Sequence, residues 1–363
     1  MRLIKKSPIK RFIGLHFGVG CCNMSCSYCY LGRTENKIQK IPFSISEIKA
    51  AFSKKRLGGI CFINICSDGE TLLHPMMVDI IRTFLEEGHY VMLVTNGTVT
   101  KTIKELLRLD DEYQSRIFFK MSFHYEELCK MNMLDLFFEN VNILTQSPCS
   151  LTVEYVTEDE TLDNIEEFKE ICMKGMGALP QINIPRDERK KNMGVYSKYS
   201  WENYIKKVAS GNIQSSLFDY RVQHFGIKYK GFCHFGDRYL WVNMKTGYSH
   251  QCYRTPPLQN FMGDINKSVR WMPVGNNCLE AHCYVCYTFF PLGCVDTPEY
   301  GKYRPTFYEI RNRKDDKGRD WVKPTFRKVF ECGVEQREYS VIERKIVNIM
   351  NCFKKWYYRE HGA

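Results

Sequence analysis

The run Phe12-Ile-Gly-Leu-His-Phe17, followed after four residues by Cys22-Asn-Met-Ser-Cys26-Ser-Tyr-Cys29, decides how the rest of the chain is read. Its first part is short, apolar and β-rich. Its second part packs three cysteines into eight residues, with a fourth, Cys21, beside them. A thiolate is a soft ligand suited to iron–sulfur clusters and zinc, and such a site needs several thiolates in one place. The spacing is C-x3-C-x2-C, with Tyr28 just before the last cysteine. Three ligands are informative, because a structural metal site is closed by four whereas a reactive site keeps one position open.

Working outward from that loop, the first half of the chain alternates. Apolar, β-rich runs lie at Phe12–Phe17, Gly59–Cys66, Tyr90–Thr95, Arg116–Phe123, Leu151–Thr157 and Gln181–Pro185. Between them the apolar residues take helical spacing at Ser44–Arg56, Met76–Glu87, Thr100–Leu109, Leu134–Leu144 and Thr161–Met173. Strands separated by single helices imply an α/β fold of parallel strands with right-handed crossovers. Ser44 or Ser46 suits an N-cap, with Glu47 placed to close a capping box onto Ser44. Asp163 is expected in the first turn of its helix, where a negative charge is favoured.

Composition narrows the classes. The chain has 363 residues, 44% of them hydrophobic and 26% charged, so it buries a sizeable core and is not a disordered chain. Residues Met1 to Lys10 carry no apolar run of the secretory kind, and no stretch of about eighteen apolar residues predicts a membrane span. Seventeen cysteines without an export signal read as cytoplasmic, where thiols bind metals or do redox chemistry. The net charge is +11, and residues 302–363 hold 16 Lys/Arg against 9 Asp/Glu. No aromatic-basic RNA-binding motif accompanies that surplus, so a solvated basic face or a dock for an acidic partner is expected, not nucleic acid.

Past the charged break Arg186–Asn192, a connecting helix is expected over Trp201–Ser216. From about Phe225 the chain turns to short aromatic runs, Gly-containing turns and six cysteines: Cys233, Cys252, Cys278, Cys283, Cys286 and Cys294. Cys233 and Cys252 flank an expected hairpin, with Gly247 five residues before Cys252. Val341–Tyr358 reads as a basic amphipathic helix, with Val341, Ile346, Ile349 and Phe353 near one face expected to dock on the core.

The C-x3-C-x2-C loop after the first strand resembles the signature of the radical S-adenosylmethionine (radical SAM) superfamily. The resemblance implies that Cys22, Cys26 and Cys29 hold three irons of a [4Fe–4S] cluster, the fourth iron staying open to the amino and carboxylate groups of SAM. It implies a TIM-like partial (β/α)6 barrel over roughly residues 10–190, with the chemistry on loops at the C-terminal strand ends. There the second strand ends in Asp68-Gly69-Glu70, where the family carries a Gly-Gly-Glu type motif for the SAM amino group. The first glycine is replaced here. By the same resemblance Asn96, in Thr95-Asn96-Gly97, belongs to the SAM site, and Ser122 contacts the ribose. The fifth strand end, Glu154–Thr157, lacks the usual adenine motif. His124 is the acid/base candidate nearest the site, with a hydrogen-bonded barrel-end histidine as the alternative.

The later C-x13-G-x4-C resembles the opening of SPASM and Twitch domains, which hold auxiliary [4Fe–4S] clusters. Cys233, Cys252, Cys283 and Cys286 would be the four ligands of one auxiliary cluster. Cys278, Cys294 and Cys332 remain for a second, although Cys286 to Cys294 is C-x7-C and no C-x3-C follows. A zinc ribbon is the other reading of that set. The domains implied are a barrel at 1–192, a linker helix at 193–224, a cysteine-rich auxiliary domain at 225–300 and a basic extension at 301–363. The activity implied is reductive cleavage of SAM and hydrogen abstraction, fed by an electron donor such as flavodoxin or ferredoxin. An auxiliary cluster favours oxidative outcomes, dehydrogenation or cross-linking of a peptide. Oxidation or epimerisation of a carbohydrate or other small molecule stays open, as do an RNA-modifying enzyme and a non-catalytic iron–sulfur or zinc protein. One of Cys61, Cys129, Cys149 and Cys172 would supply hydrogen in an epimerisation.

Overall fold

The computed structural model describes residues 7–29, 37–187, 194–276, 278, 280, 282–296 and 305–361, the last nine of these in backbone only. Six parallel strands run in chain order: β1 (Arg11–Phe17), β2 (Cys61–Ser67), β3 (Tyr90–Thr95), β4 (Ile117–Phe123), β5 (Ser150–Val156) and β6 (Gln181–Asn183). They are the six expected runs, within two residues at each end. A two-stranded ribbon follows, β7 (Arg186–Asp187) with β8 (Gly194–Val195). The charged stretch 188–193 between them lies outside the described residues.

Every crossover from β1 to β6 carries helix, and the helices cover one face of the sheet. Ser44 caps Ile45–Ala51 through the expected capping box with Glu47. That helix is shorter than expected, because Ser53 starts a second one, Lys54–Leu57. The expected Thr161–Met173 helix is also two, Asp159–Asp163 and Ile165–Met176. Asp163 therefore ends a helix and does not sit in a first turn. Its carboxylate instead takes Lys198, Lys207 and the Tyr199 hydroxyl. The connecting helix likewise divides, into Trp201–Ser210 and Ser216–His224, each with a serine N-cap.

Alternation along the strands separates two faces. Ile13, Leu15, Phe17, Ile63, Ile65, Leu93 and Phe119 pack outward under the helices. Phe12, Phe62, Met92 and Phe118 point the other way, into the curve of the sheet. That concave floor is closed by the C-terminal region. Helix Pro324–Cys332 inserts Phe326 and Phe330, whose rings lie 5.6 and 5.0 Å from Phe118. Lys323 N donates to Ser150 Oγ, and Leu151 N to the Trp321 carbonyl, so the segment is also fastened by backbone bonds.

The cysteine-rich part is continuous with the sheet. β9 (Tyr239–Asn243) pairs in parallel with β1, and β10 (Tyr248–His250) and β11 (Pro257–Asn260) extend that edge antiparallel. The β9–β10 hairpin is the one expected between Cys233 and Cys252, with Gly247 in its turn at φ +80°. The last helix, Val341–His361, lies over this part but not as expected. It docks through Val347 and Asn351, whose amide nitrogen donates to the Pro273 carbonyl at 2.8 Å. Val341 is 70% exposed and Ile346 and Ile349 at least half exposed, so that apolar face does not meet the core. The Phe353 side chain lies outside the described residues. No described helix is long and apolar enough to cross a membrane.

Candidate active site

At the C-terminal ends of β1 to β6 a cavity of about 1020 Å³ opens. Cys22, Cys26 and Cys29 line it, together with Gly69, Glu70, Thr95, Asn96, Ser122 and His124. Residues expected from the cysteine spacing and from the family resemblance thus meet at one place.

The cysteine loop is held from three sides. Glu70 N donates to the Cys21 carbonyl at 2.8 Å, which gives Cys21 a use although it is not among the lining residues. Gly69 passes so close, at φ +140°, that a Cβ there would sit 2.2 Å from the Cys21 carbonyl oxygen. Only glycine fits that approach. On the second side Asn23 exchanges hydrogen bonds with Asn96 and Thr98, both 2.8 Å. On the third, Ser25 N donates to Glu127 and Ser27 Oγ to Glu158. Burial, and then the Glu127 charge, push the Cys26 thiol up to about 12. A thiol so placed stays protonated near neutral pH unless a metal ion such as iron binds the sulfur and releases the proton to solvent. Among the described residues no three His, Cys, Asp or Glu side chains converge for a single metal ion. Three thiolates around a cubane each bind a different iron, so the set fits a cluster without such convergence.

Glu70 is buried, and burial raises its pKa. Its carboxylate accepts from Leu72 N at 2.9 Å, Thr95 Oγ1 at 2.7 Å and Asn96 N at 2.7 Å. It therefore ties the end of β2 to the end of β3. Asp68 differs from the expectation: it is not among the lining residues. Its Oδ1 accepts from Gly20 N at 2.9 Å and its Oδ2 faces Lys245 at 3.3 Å, so it braces the loop from behind. The Tyr28 hydroxyl and His124 Nδ1 share a hydrogen bond of 2.5 Å, and the two rings stack 5.8 Å apart. Burial pushes His124 down to about 4, so it is neutral near pH 7 and joins the loop to the end of β4.

Of the cysteines named as hydrogen donors, Cys61, Cys149 and Cys172 are buried away from the cavity and Cys129 is exposed. Cys66, on the inward face of β2, lines it instead, and burial raises that thiol to about 11. The cavity also holds His16, Lys120, Glu154, Asn183, Arg186, Arg221 and Tyr287, none of which the motif search singled out as site residues. One signal existed for Lys120. It is a lysine within an apolar strand, two residues before Ser122 and hence on the same face. Arg221 and Tyr287 lie too far along the chain for any spacing to connect them.

A second cavity, about 270 Å³, is lined by Cys233, Cys252, Cys278 and Cys283. Its other walls include Tyr229, Phe235, Phe289, Phe290 and Asn351. Cys278 stands where Cys286 was expected. Helix Cys286–Phe289 starts at Cys286, whose thiol lies near both Arg221 and Cys283 without lining the cavity, whereas Phe289 does line it. Cys294 is fully buried in the adjoining core and does not line the cavity, nor does Cys332. The same short helix presents Tyr287 to the first cavity, so the two share a wall.

Residues 18–172 match the model of the radical SAM superfamily. Over 79 residues the chain is 33% identical to neomycin C epimerase of Streptomyces fradiae, a match covering 22% of this chain and 25% of that protein. Against the solved structure of Streptococcus suis SuiB bound to S-adenosylmethionine the identity is 11% and the TM-score 0.47, over 71% of this chain and 65% of that one. Against native anSMEcpe with bound AdoMet they are 15% and 0.46, over 88% of this chain and 96% of that one.

Proposed function

Taking as premise that the chain belongs to the radical SAM superfamily, we propose that it abstracts hydrogen from a substrate admitted to the larger cavity and oxidises it. The observation that carries this reading is the meeting of Cys22, Cys26 and Cys29 with the ends of β2, β3 and β4 at one open cavity. Those thiolates would hold the [4Fe–4S] cluster, which with SAM supplies a 5′-deoxyadenosyl radical. Gly69 and Glu70 fix the turn facing the cluster loop, Asn96 braces it, and Ser122 stands at the ribose position. The Tyr28–His124 pair closes the loop against β4 and helps to exclude water. Cys233, Cys252, Cys278 and Cys283 would hold one auxiliary cluster, an acceptor for the electron that oxidation of a substrate radical releases.

A peptide is the substrate class proposed first. At about 1020 Å³ the cavity is at the top of the range for sites that enclose a small ligand, which leaves room beside SAM. An electron donor such as flavodoxin or ferredoxin would feed the open cluster. A second reading, epimerisation of a small molecule, draws on the partial likeness to neomycin C epimerase and on Cys66, a thiol kept protonated in the cavity wall. In that case the S–H bond would break and a C–H bond form on the substrate radical, leaving a thiyl radical at Cys66.

The test is anaerobic reconstitution with iron and sulfide, then SAM and dithionite. The expected product is 5′-deoxyadenosine, abolished by Cys26→Ala with the auxiliary iron retained. An iron-loaded wild-type protein that makes none would overturn the reading.

A further inference from the structure

Strand β4 sends Phe118, Lys120 and Ser122 into the barrel in succession, and Lys120 lies one layer, roughly 6.6 Å, below Ser122. At that depth Lys120 Nζ is 3.2 Å from Glu154 Oε2 on β5. Glu154 is already committed: its Oε1 pairs with the buried Arg311, and Asn183 Nδ2 donates to the same Oε2 at 3.1 Å. Arg221, only 3% exposed, comes in from helix Ser216–His224, its guanidinium 4.6 Å above the Tyr287 ring. One of its N–H groups meets the Ile184 carbonyl at 3.3 Å, and Lys120 feels the charges of Arg311, Arg186 and Arg221 together.

We propose that Lys120 and Arg221 form an oxyanion-binding floor to the reaction cavity, so that the substrate carries a carboxylate or a phosphate. This rests on the reading of that cavity as the reaction chamber. A buried charge is tolerated when it is paired and hydrogen-bonded. Here one carboxylate, Glu154, faces Lys120 and Arg311, and Arg221 has a carbonyl and a ring face. Burial pushes Lys120 down to about 8; Tyr287 acts against that shift, and the charges of Arg311, Arg186 and Arg221 add to it. An incoming oxyanion would complete the pairing. It would also be anchored at the base of the cavity, leaving the rest of the substrate toward the cysteine loop. Arginine suits this work, since its planar fork matches carboxylate and phosphate geometry. A cationic substrate would be repelled.

The test titrates the iron-loaded, SAM-bound protein with inorganic phosphate in one arm and glutarate in the other. Ionic strength is held constant with sodium chloride, and the thermal midpoint is read. A saturable rise beyond the chloride control is expected in at least one arm, and the arm that responds separates a phosphorylated substrate from a carboxylate. Lys120→Met and Arg221→Gln should each weaken half-saturation at least tenfold, whereas Lys120→Arg should stay within about threefold of wild type. If Arg221→Gln does not fold in chloride alone, the two Lys120 variants decide. No saturable rise in either arm, or variants that respond like wild type, would overturn the proposal. The readout needs no turnover. A protein that makes 5′-deoxyadenosine yet ignores both anions loses this inference alone, and one that binds anions but leaves SAM intact loses the proposed reaction instead.

Discussion

The cavity at Cys22, Cys26 and Cys29 and the cavity at Cys233, Cys252, Cys278 and Cys283 are both ringed by thiols, yet they are walled differently. The first is about 1020 Å³ and carries Glu70, Lys120, Glu154 and Arg221 as well as hydroxyls and two imidazoles. The second is about 270 Å³ and is set among Phe235, Phe289, Phe290, Val274 and Val295. Thiol number alone would call both soft-metal sites. The walls separate a chamber able to orient a polar ligand from a cage suited to a closed cluster, where apolar neighbours limit water and tune potential.

The sharpest way to break that contrast is at the cage. Cys278→Ala is expected to cost one cluster's worth of iron and sulfide in a reconstituted protein, while Cys286→Ala keeps it. The opposite pattern in iron analysis would return Cys286 to the ligand set and undo the assignment by cavity. A smaller effect is expected at the chamber. Gly69→Ala places a methyl against the Cys21 carbonyl and should lower SAM affinity about tenfold, with a loss of about 1–3 kcal/mol in denaturant stability. Iron in the cage should not change. The mildest effect is on pH. Lys120 sits among Glu154, Arg311, Arg186, Arg221 and Tyr287, and is charged below about 8. Glutarate, which stays a dianion over this range, is therefore expected to bind evenly from pH 6 to 7.5 and more weakly as pH rises through about 8, with no such step in Lys120→Arg.

Much of the chamber was legible because periodicity marks the strand ends and the resemblance to the radical SAM family says which residues at those ends to expect in the site. Cys22, Cys26, Cys29, Glu70, Asn96, Ser122 and His124 all reach it for that reason. Asp68 was misread because motif position says nothing about which way a side chain turns, and Gly20 and Lys245 claim its carboxylate from outside. Cys286 starts a helix and is not among the residues lining the second cavity, although its thiol is an electrostatic neighbour of Cys283, a placement that C-x2-C spacing does not specify. The split of the helix expected at Ser44–Arg56 turns on Ser53, a cap inside an otherwise helical pattern. Helix Val341–His361 docks by its polar edge, since Asn351 meets carbonyls that an apolar residue would leave unsatisfied.

Helix Pro324–Cys332 also sets a timetable for synthesis. The concave face of β2 and β4 presents Phe62 and Phe118 early in translation, yet the rings of Phe326 and Phe330 that cover them emerge more than two hundred residues later. β9, which seals the free edge of β1, is likewise late. While the ribosome is still working, the nascent sheet therefore shows both an aromatic hollow and an unpaired edge, a form that invites association with other chains.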